Sequence, residues 1–215
     1  TTGYRNVAVG GLTLDANTTS DDNTAVGYAA LTDNTTGEDN TAVGSAALFD
    51  NTTGSYSVAI GYQALYSNTT ASKSTAVGYY ALVSATTGGN NTAVGYRALD
   101  SCTDGHDNAG VGRDALAAVS TGEKNTALST AGQAITTGQN NMCLGYNAGS
   151  SASPSGQITT GNDIICLGDN GIGNLYCNDT SISSSDSRDK TDITDFTKGL
   201  DWIKALRPIT YRWDK

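Results

Sequence analysis

An apolar residue stands directly before glycine at intervals of 17 residues, in Val9, Val26, Val43, Ile60, Val77, Val94, Val111 and Leu128. The glycines are Gly10, Gly27, Gly44, Gly61, Gly78, Gly95 and Gly112, and Ser129 takes the eighth slot. A second apolar column follows four residues after the glycine, in Leu14, Leu31, Leu48, Leu65, Leu82, Leu99 and Leu116, usually preceded by Ala. A fixed period of this length predicts stacked repeats in place of one irregular core. The two apolar columns predict an inside.

Around each glycine the cleanest copies read Asn-Thr-Ala-Val-Gly-Tyr-x-Ala-Leu. Thr41-Ala42-Val43-Gly44 and its equivalents are too short and too Gly-rich for a helix, and their β-branched residues predict a strand. The other half of each unit is turn chemistry: Asn34-Thr35-Thr36-Gly37, Asn51-Thr52-Thr53-Gly54, Thr86-Thr87-Gly88 and Ser120-Thr121-Gly122. Glycine there is expected to supply a positive φ, and Asn and Thr side chains to satisfy corner backbone groups. Coils of this kind stack with every strand in parallel register, about 4.8 Å apart. The expected fold is all-β, a parallel β-solenoid or β-roll of nine or ten coils, on the order of 45 Å long at that spacing.

Strand alternation puts Thr, Val and the residue after glycine on one face, and Ala with Gly on the other. The small Ala/Gly face is either a surface for neighbouring chains or a tight coil interior. The column after glycine holds Tyr28, Tyr62, Tyr79, Tyr96 and Tyr146, interrupted by Gly11, Ser45 and Arg113. It reads as a structural ladder or a carbohydrate-binding stripe.

Ser57-Val58-Ala59-Ile60-Gly61 and the Asn-Thr-Ala-Val-Gly copies resemble the head repeats of trimeric autotransporter adhesins of the YadA type. The likeness covers roughly residues 4 to 149. It implies left-handed parallel β-rolls assembled as trimers.

After Ser129 the spacing slips. Ile135 follows Leu116 by 19 residues, Gly145 follows Ser129 by 16, and Gly168 follows Gly145 by 23. Such slippage predicts degrading or interrupted repeats, with Ser150-Ser151-Ala152-Ser153-Pro154-Ser155-Gly156 as the loop and one more coil around Ile164 to Gly168. The expected domains are therefore 1–149 for the β-roll, 150–180 for the last coils and a linker, and 181–215 for a different module.

The chain carries 12 Lys and Arg against 21 Asp and Glu. Residues 1 to 185 hold 5 and 15 of these, and residues 186 to 215 hold 7 and 6. An acidic repeat region works against nucleic acid or anionic lipid as partner, since phosphate binding needs clustered Lys and Arg. No run approaches the ~18 apolar residues of a membrane span, so no membrane insertion is expected. The chain opens Thr1-Thr2-Gly3 without Met, as a piece of something longer would.

Conventional site chemistry is sparse. His106 is the single histidine, in the turn-like Asp104-Gly105-His106-Asp107, so no Ser-His-Asp triad is available and the residue reads as an ordinary loop position. Asp104 and Asp107 lack a calcium-loop pattern. Cys102, Cys143, Cys166 and Cys177 show no Cys-x-x-Cys spacing, so no metal or other cofactor is expected. Cys143 and Cys166 share the slot two before glycine and are expected to stack, as free thiols more readily than as a disulfide. Asn17, Asn34, Asn51 and Asn68 head Asn-x-Thr sequons, read as by-products of the turns. Acid residues scattered through loops offer no pair in a shared slot, which argues against a depolymerase.

From residue 181 the texture changes. Leu200, Ile203 and Leu206 share a helical face, with Asp195 or Thr197 as cap and Pro208 as stop, and Ile209 to Trp213 alternates as a strand. This predicts a small α+β segment. Ser185 and Lys190 stand five apart, and a neutral lysine amine can take a serine proton. Ser185-Asp186-x-Arg188-x-Lys190, followed by Gly199-Leu200-Asp201-x-Ile203-x-x-Leu206-x-Pro208-x-x-Tyr211-x-Trp213, is similar to the opening of the intramolecular chaperone of endosialidase domain. That resemblance implies trimerisation and self-cleavage, with Ser185 as nucleophile, Lys190 as base, Ser185–Asp186 as the scissile bond and Arg188 as a structural motif residue. Asp189 stands where a hydrophobic residue is common in the family. The chain runs across the bond to Lys215, so the bond is expected intact.

The function expected from these readings is a structural segment of a trimeric phage tail fibre, located in the virion and serving host-surface attachment. Its expected partners are two further copies, other tail proteins and a host surface receptor, with glycan as one receptor class. Apart from a single self-cleavage it is not expected to be an enzyme. The alternative is a bacterial cell-surface adhesin or stalk with the same repeats.

Overall fold

The computed structural model describes residues 3–172 of the chain. Ten three-residue strands run from β1 (Val7–Val9) through β2 (Thr24–Val26) and β3 (Thr41–Val43) to β9 (Met142–Leu144) and β10 (Ile165–Leu167). They form one sheet in chain order, every neighbour parallel. The register is strict, as in Thr24↔Thr41, Ala25↔Ala42 and Val26↔Val43. The fold is the expected parallel β-solenoid, and among the described residues no helix is long and apolar enough to cross a membrane.

Each complete coil has five inward slots. In the second coil these are Asn23, Ala25, Ala30, Leu31 and Asn34, all fully buried. The leucine column is interior as expected. The valine column is not: Val9, Ile60, Val111 and Leu128 are exposed, because the central residue of each strand, Ala in most and Gly110, Cys143 or Cys166 in the others, takes the inward position and alternation turns its neighbours out. The Ala face is thus the tight coil interior and cannot meet another chain.

Strand-end glycines make the sharpest bend. Gly10, Gly27, Gly44, Gly61, Gly78, Gly95 and Gly112 hold φ between 132° and 139°, and a Cβ on Gly78 would stand 2.4 Å from the carbonyl oxygen of Gly95. Both conformation and close coil contact exclude a side chain there. The corner glycines differ from expectation. Gly37, Gly54, Gly88 and Gly122 do not take a positive φ. A Cβ on Gly37 would instead lie 2.2 Å from the Gly54 carbonyl oxygen, so coil-to-coil approach selects a small residue, and Ala71 takes the same slot. The left-handed turns fall on other residues: the leucine column from Leu14 to Leu116 has φ of 51° to 54°. That conformation costs roughly 1–2 kcal/mol per residue. Burial of each leucine offsets it by about 1.5–3 kcal/mol.

Where the beat slips, the slots persist. Leu99 N–H donates to Ala115 O, and Leu116 N–H donates to Ala131 O in the same way. Because Gly112 and Ser129 are equivalent, one residue is missing between Ser129 and Ala131. Gly132 and Gly149 then take the leucine slot, keeping its left-handed turn at φ 63° and 75°. Ile135 is accordingly not the successor of Leu116. It occupies the inward slot of Asn34, Asn51 and Asn68 and fills the volume that the glycine leaves. Six extra residues enter between Gly149 and Ile158, across the expected 150–156 loop, before β10 resumes the ladder.

Candidate functional site

The most continuous chemical feature of the described residues is an internal asparagine ladder. Asn6, Asn23, Asn40, Ser57, Ser74, Asn91, Asn108, Asn125 and Asn141 share one inward slot. Each side-chain oxygen accepts the backbone N–H of the next rung at 2.9 to 3.3 Å, ending on Ile164. Where the rung is Asn, its amide nitrogen also donates to a corner carbonyl, as Asn108 does to Gly122 at 2.8 Å. Buried amides of this kind hold register because each is satisfied only by its neighbours. On the outside, hydroxyls from Thr35 to Thr136 each donate to a carbonyl of the following coil.

A second inward ladder runs through Asn34, Asn51 and Asn68, with Asn51 Nδ2 on Asn34 Oδ1 at 2.8 Å and Asn68 Nδ2 on Asn51 Oδ1 at 2.6 Å. These three sequon asparagines are fully buried. The folded chain therefore cannot display them for glycosylation. Composition hid this role, because Asn-Thr-Thr-Gly reads as a solvated turn; the 17-residue recurrence of Asn on both sides of the strand was the available signal.

The tyrosine column is drawn together in its middle. Tyr62 stacks on Tyr79 at 5.3 Å and Tyr79 on Tyr96 at 5.6 Å, near-parallel in both cases. Tyr80 meets Tyr79 edge-on at 4.2 Å. The neighbouring Tyr80 hydroxyl, more than any other group, raises the Tyr79 hydroxyl to about 12. Both faces of Tyr79 are engaged by its neighbours, so the three rings form a stacked ladder along the coils. A second stack joins Phe49 and Tyr66 at 5.1 Å.

Acid residues do share slots, against expectation. Asp33 and Asp50 donate their backbone amides to Phe49 and Tyr66 in equivalent positions, one coil apart. Partial burial, and then the Asp33 charge, raise the Asp50 carboxyl above its ordinary range. Loop-based reading missed this because it did not follow the 17-residue offset into the turns. His106 is more than a loop residue: its ring nitrogens lie 2.9 Å from Asp107 Oδ2 and 2.9 Å from Glu123 Oε1 on the next coil. Beside Arg97, which lies 2.7 Å from Asp100 Oδ2, the surface has an open depression of about 420 Å³. Among the described residues no group of three His, Cys, Asp or Glu side chains converges as a metal site.

Cys143 and Cys166 are paired in register and both are buried free thiols, as is Cys102. Burial raises Cys102 and Cys143 to about 11. Cys166 anchors the inserted loop through Ser153 Oγ at 2.6 Å and the Gly149 N–H at 3.1 Å.

Comparison with known families turns attention to the chain's last residues. Residues 185–215 match the family described as chaperone of endosialidase. The match begins at Ser185, the candidate nucleophile. No curated protein and no solved structure matches the chain. Ser185, Asp186, Arg188 and Lys190 lie outside the described residues, as do Cys177, the expected helix with Leu200, Ile203 and Leu206, and the expected strand of Ile209 to Trp213.

Proposed function

We propose that this chain is a shaft or head segment of a trimeric phage tail fibre, serving attachment to a host surface. One conjunction carries the reading: a ten-coil parallel solenoid leads, in chain order, into residues that match an intramolecular chaperone family. A coil that repeats one set of internal hydrogen bonds supplies length and stiffness, which suits a fibre and not a catalyst. The likeness of Ser57-Val58-Ala59-Ile60-Gly61 to YadA-type heads supports three-chain assembly. Attachment to host glycan or protein belongs to the same reading, with the virion as location.

In the terminal module, Ser185 would supply the attacking hydroxyl and Lys190 would accept its proton. Lys190 would return that proton to the Asp186 amine as the peptide bond breaks, leaving an ester at the Ser185 carbonyl that water hydrolyses. Asp189 places a charge beside this machinery, and the expected result is slow cleavage. Sedimentation of the full chain tests the assembly; a trimer is expected, and a monomer overturns the fibre reading. Intact mass spectrometry tests the bond. The uncut chain is expected to dominate fresh material, with a slow fragment ending at Ser185 that Ser185→Ala abolishes. A prompt, complete terminus at Ser185 overturns the slow-cleavage assignment.

A further inference from the structure

We infer that the break in the tyrosine column at Ser45 is a binding slot for one neutral pyranose ring, held between Tyr28 and Tyr62. The inference rests on the attachment reading above and names the chemical class of ligand for it.

The column is built on consecutive coils. The backbone N–H of Ala46 donates to Tyr28 O, that of Gln63 to Ser45 O, that of Tyr80 to Tyr62 O and that of Arg97 to Tyr79 O, all at 2.9 to 3.1 Å. Tyr28, Ser45, Tyr62, Tyr79 and Tyr96 are therefore equivalent rungs, each just past the bend at its strand-end glycine. Between Tyr62 and Tyr96, two coils apart, the ring of Tyr79 is stacked at 5.3 and 5.6 Å. Between Tyr28 and Tyr62, also two coils apart, stands only the short side chain of Ser45. Two coil spacings are about 10 Å, which is room for one ring. The chain itself shows what such a span holds.

The walls of the gap are correspondingly open. Tyr28 is 62% exposed, against 44% for the sandwiched Tyr79. A Cβ on Gly11, in the preceding coil, would lie 3.7 Å from Tyr28 Cδ2, so one side of the Tyr28 ring rests over Gly11 and the other looks towards Ser45. The interval from Tyr96 to Tyr146 spans three coils and is too wide for a single ring.

Two facing aromatic walls suit a ligand with an apolar face, and the Ser45 hydroxyl and Gln63 amide at the floor and rim suit one with a hydroxyl edge. A pyranose combines the two, its C–H face on the rings and its hydroxyls towards Ser45 and Gln63. A ring without hydroxyls would leave those groups unmatched. Residues 1 to 185 hold 15 Asp and Glu against 5 Lys and Arg, a surface that repels an anionic sugar and admits a neutral one.

Saturation-transfer NMR on the full chain tests the slot. The probes are the methyl glycosides of glucose, galactose, mannose, N-acetylglucosamine and N-acetylgalactosamine, with N-acetylneuraminate as the anionic sugar and p-cresol as a mimic of a tyrosine side chain. At least one neutral glycoside is expected to bind through its ring C–H protons, with Kd in the millimolar range, on the order of −4 kcal/mol. Ser45→Tyr completes the column and is expected to weaken binding at least about tenfold. Tyr62→Ala removes a wall with the same expected result, and serves if Ser45→Tyr fails to fold by circular dichroism. Tyr146→Ala, at the isolated ring, is expected to bind as the wild type does. The slot is overturned by silence from every neutral glycoside, by preference for N-acetylneuraminate or p-cresol, by unchanged binding in a folded Ser45→Tyr or Tyr62→Ala, or by an equal loss in Tyr146→Ala. Sedimentation of the same samples keeps the two readings apart: a trimer that binds no sugar overturns the slot and leaves the fibre reading intact, whereas a monomer that binds one supports the slot and overturns the trimer.

Discussion

Asn68 ends its ladder at Ala85. Its Oδ1 occupies the position that in Asn34 and Asn51 accepts an amide from the next rung, and the methyl of Ala85 offers none. It is a buried acceptor without a partner. Ala85→Ser is expected to supply the missing donor and stabilise the chain by about 1 kcal/mol. Ala85→Asn should be close to neutral, since it moves the orphan acceptor up one rung beside Cys102. Thermal denaturation of the two variants distinguishes these outcomes.

The other ladder has no such gap, and breaking it should be costly. Asn108→Ala leaves the Asn125 N–H and the Gly122 carbonyl unpaired in the interior. Two buried orphans predict a loss of about 3–5 kcal/mol. Asn108→Ser should lose less, because Ser57 and Ser74 serve the same slot at 3.3 Å. Denaturant titration measures both.

Leu82 is buried and left-handed, with φ of 51°. Leucine-to-isoleucine swaps in cores usually cost under about 1.5 kcal/mol. A β-branched residue in this conformation adds strain, so Leu82→Ile is expected to cost about 2–3 kcal/mol. Leu82→Met, unbranched at Cβ, should stay near 1 kcal/mol. Equal losses in a denaturation assay would contradict the backbone account.

Asp50 provides a pH signature. Its carboxyl is raised in the fold by burial first and the Asp33 charge second, so ionisation opposes folding. That opposition is absent below the unfolded pKa, grows as pH rises through the folded pKa, and is complete above it. Asp50→Asn should therefore raise the melting temperature at pH 7 and make little difference at pH 3. Asp33→Asn should lower the Asp50 pKa only part of the way, which an NMR titration can follow.

Much of the fold was legible because the period is a physical constraint. A glycine forced to φ near 135° under the carbonyl of the next coil cannot drift, so Gly10 to Gly112 mark the first seven coils. What escaped reading was sidedness. Val43 and Leu48 look equally apolar in sequence, yet Ala42 takes the inward strand position and sends Val43 out. Asn34 and Asn40 look like turn residues, yet they line the interior, because a chain with so small a cross-section must bring its corner amides inside. Ile135 appeared out of step only because a residue was lost at Ser129 to Ala131, and counting residues could not reveal which slot it filled. The Ser185 to Lys190 site was read from a motif alone.

The lost residue and the six-residue insertion leave every inward column in line, since both are absorbed in bends. Whole coils are therefore interchangeable parts. Duplicating or deleting one coil's worth of codons would change the rod by about 4.8 Å and leave each remaining rung with the partner it requires. Reach is then a heritable trait that recombination among near-identical repeats can adjust in single steps, without a new fold having to evolve.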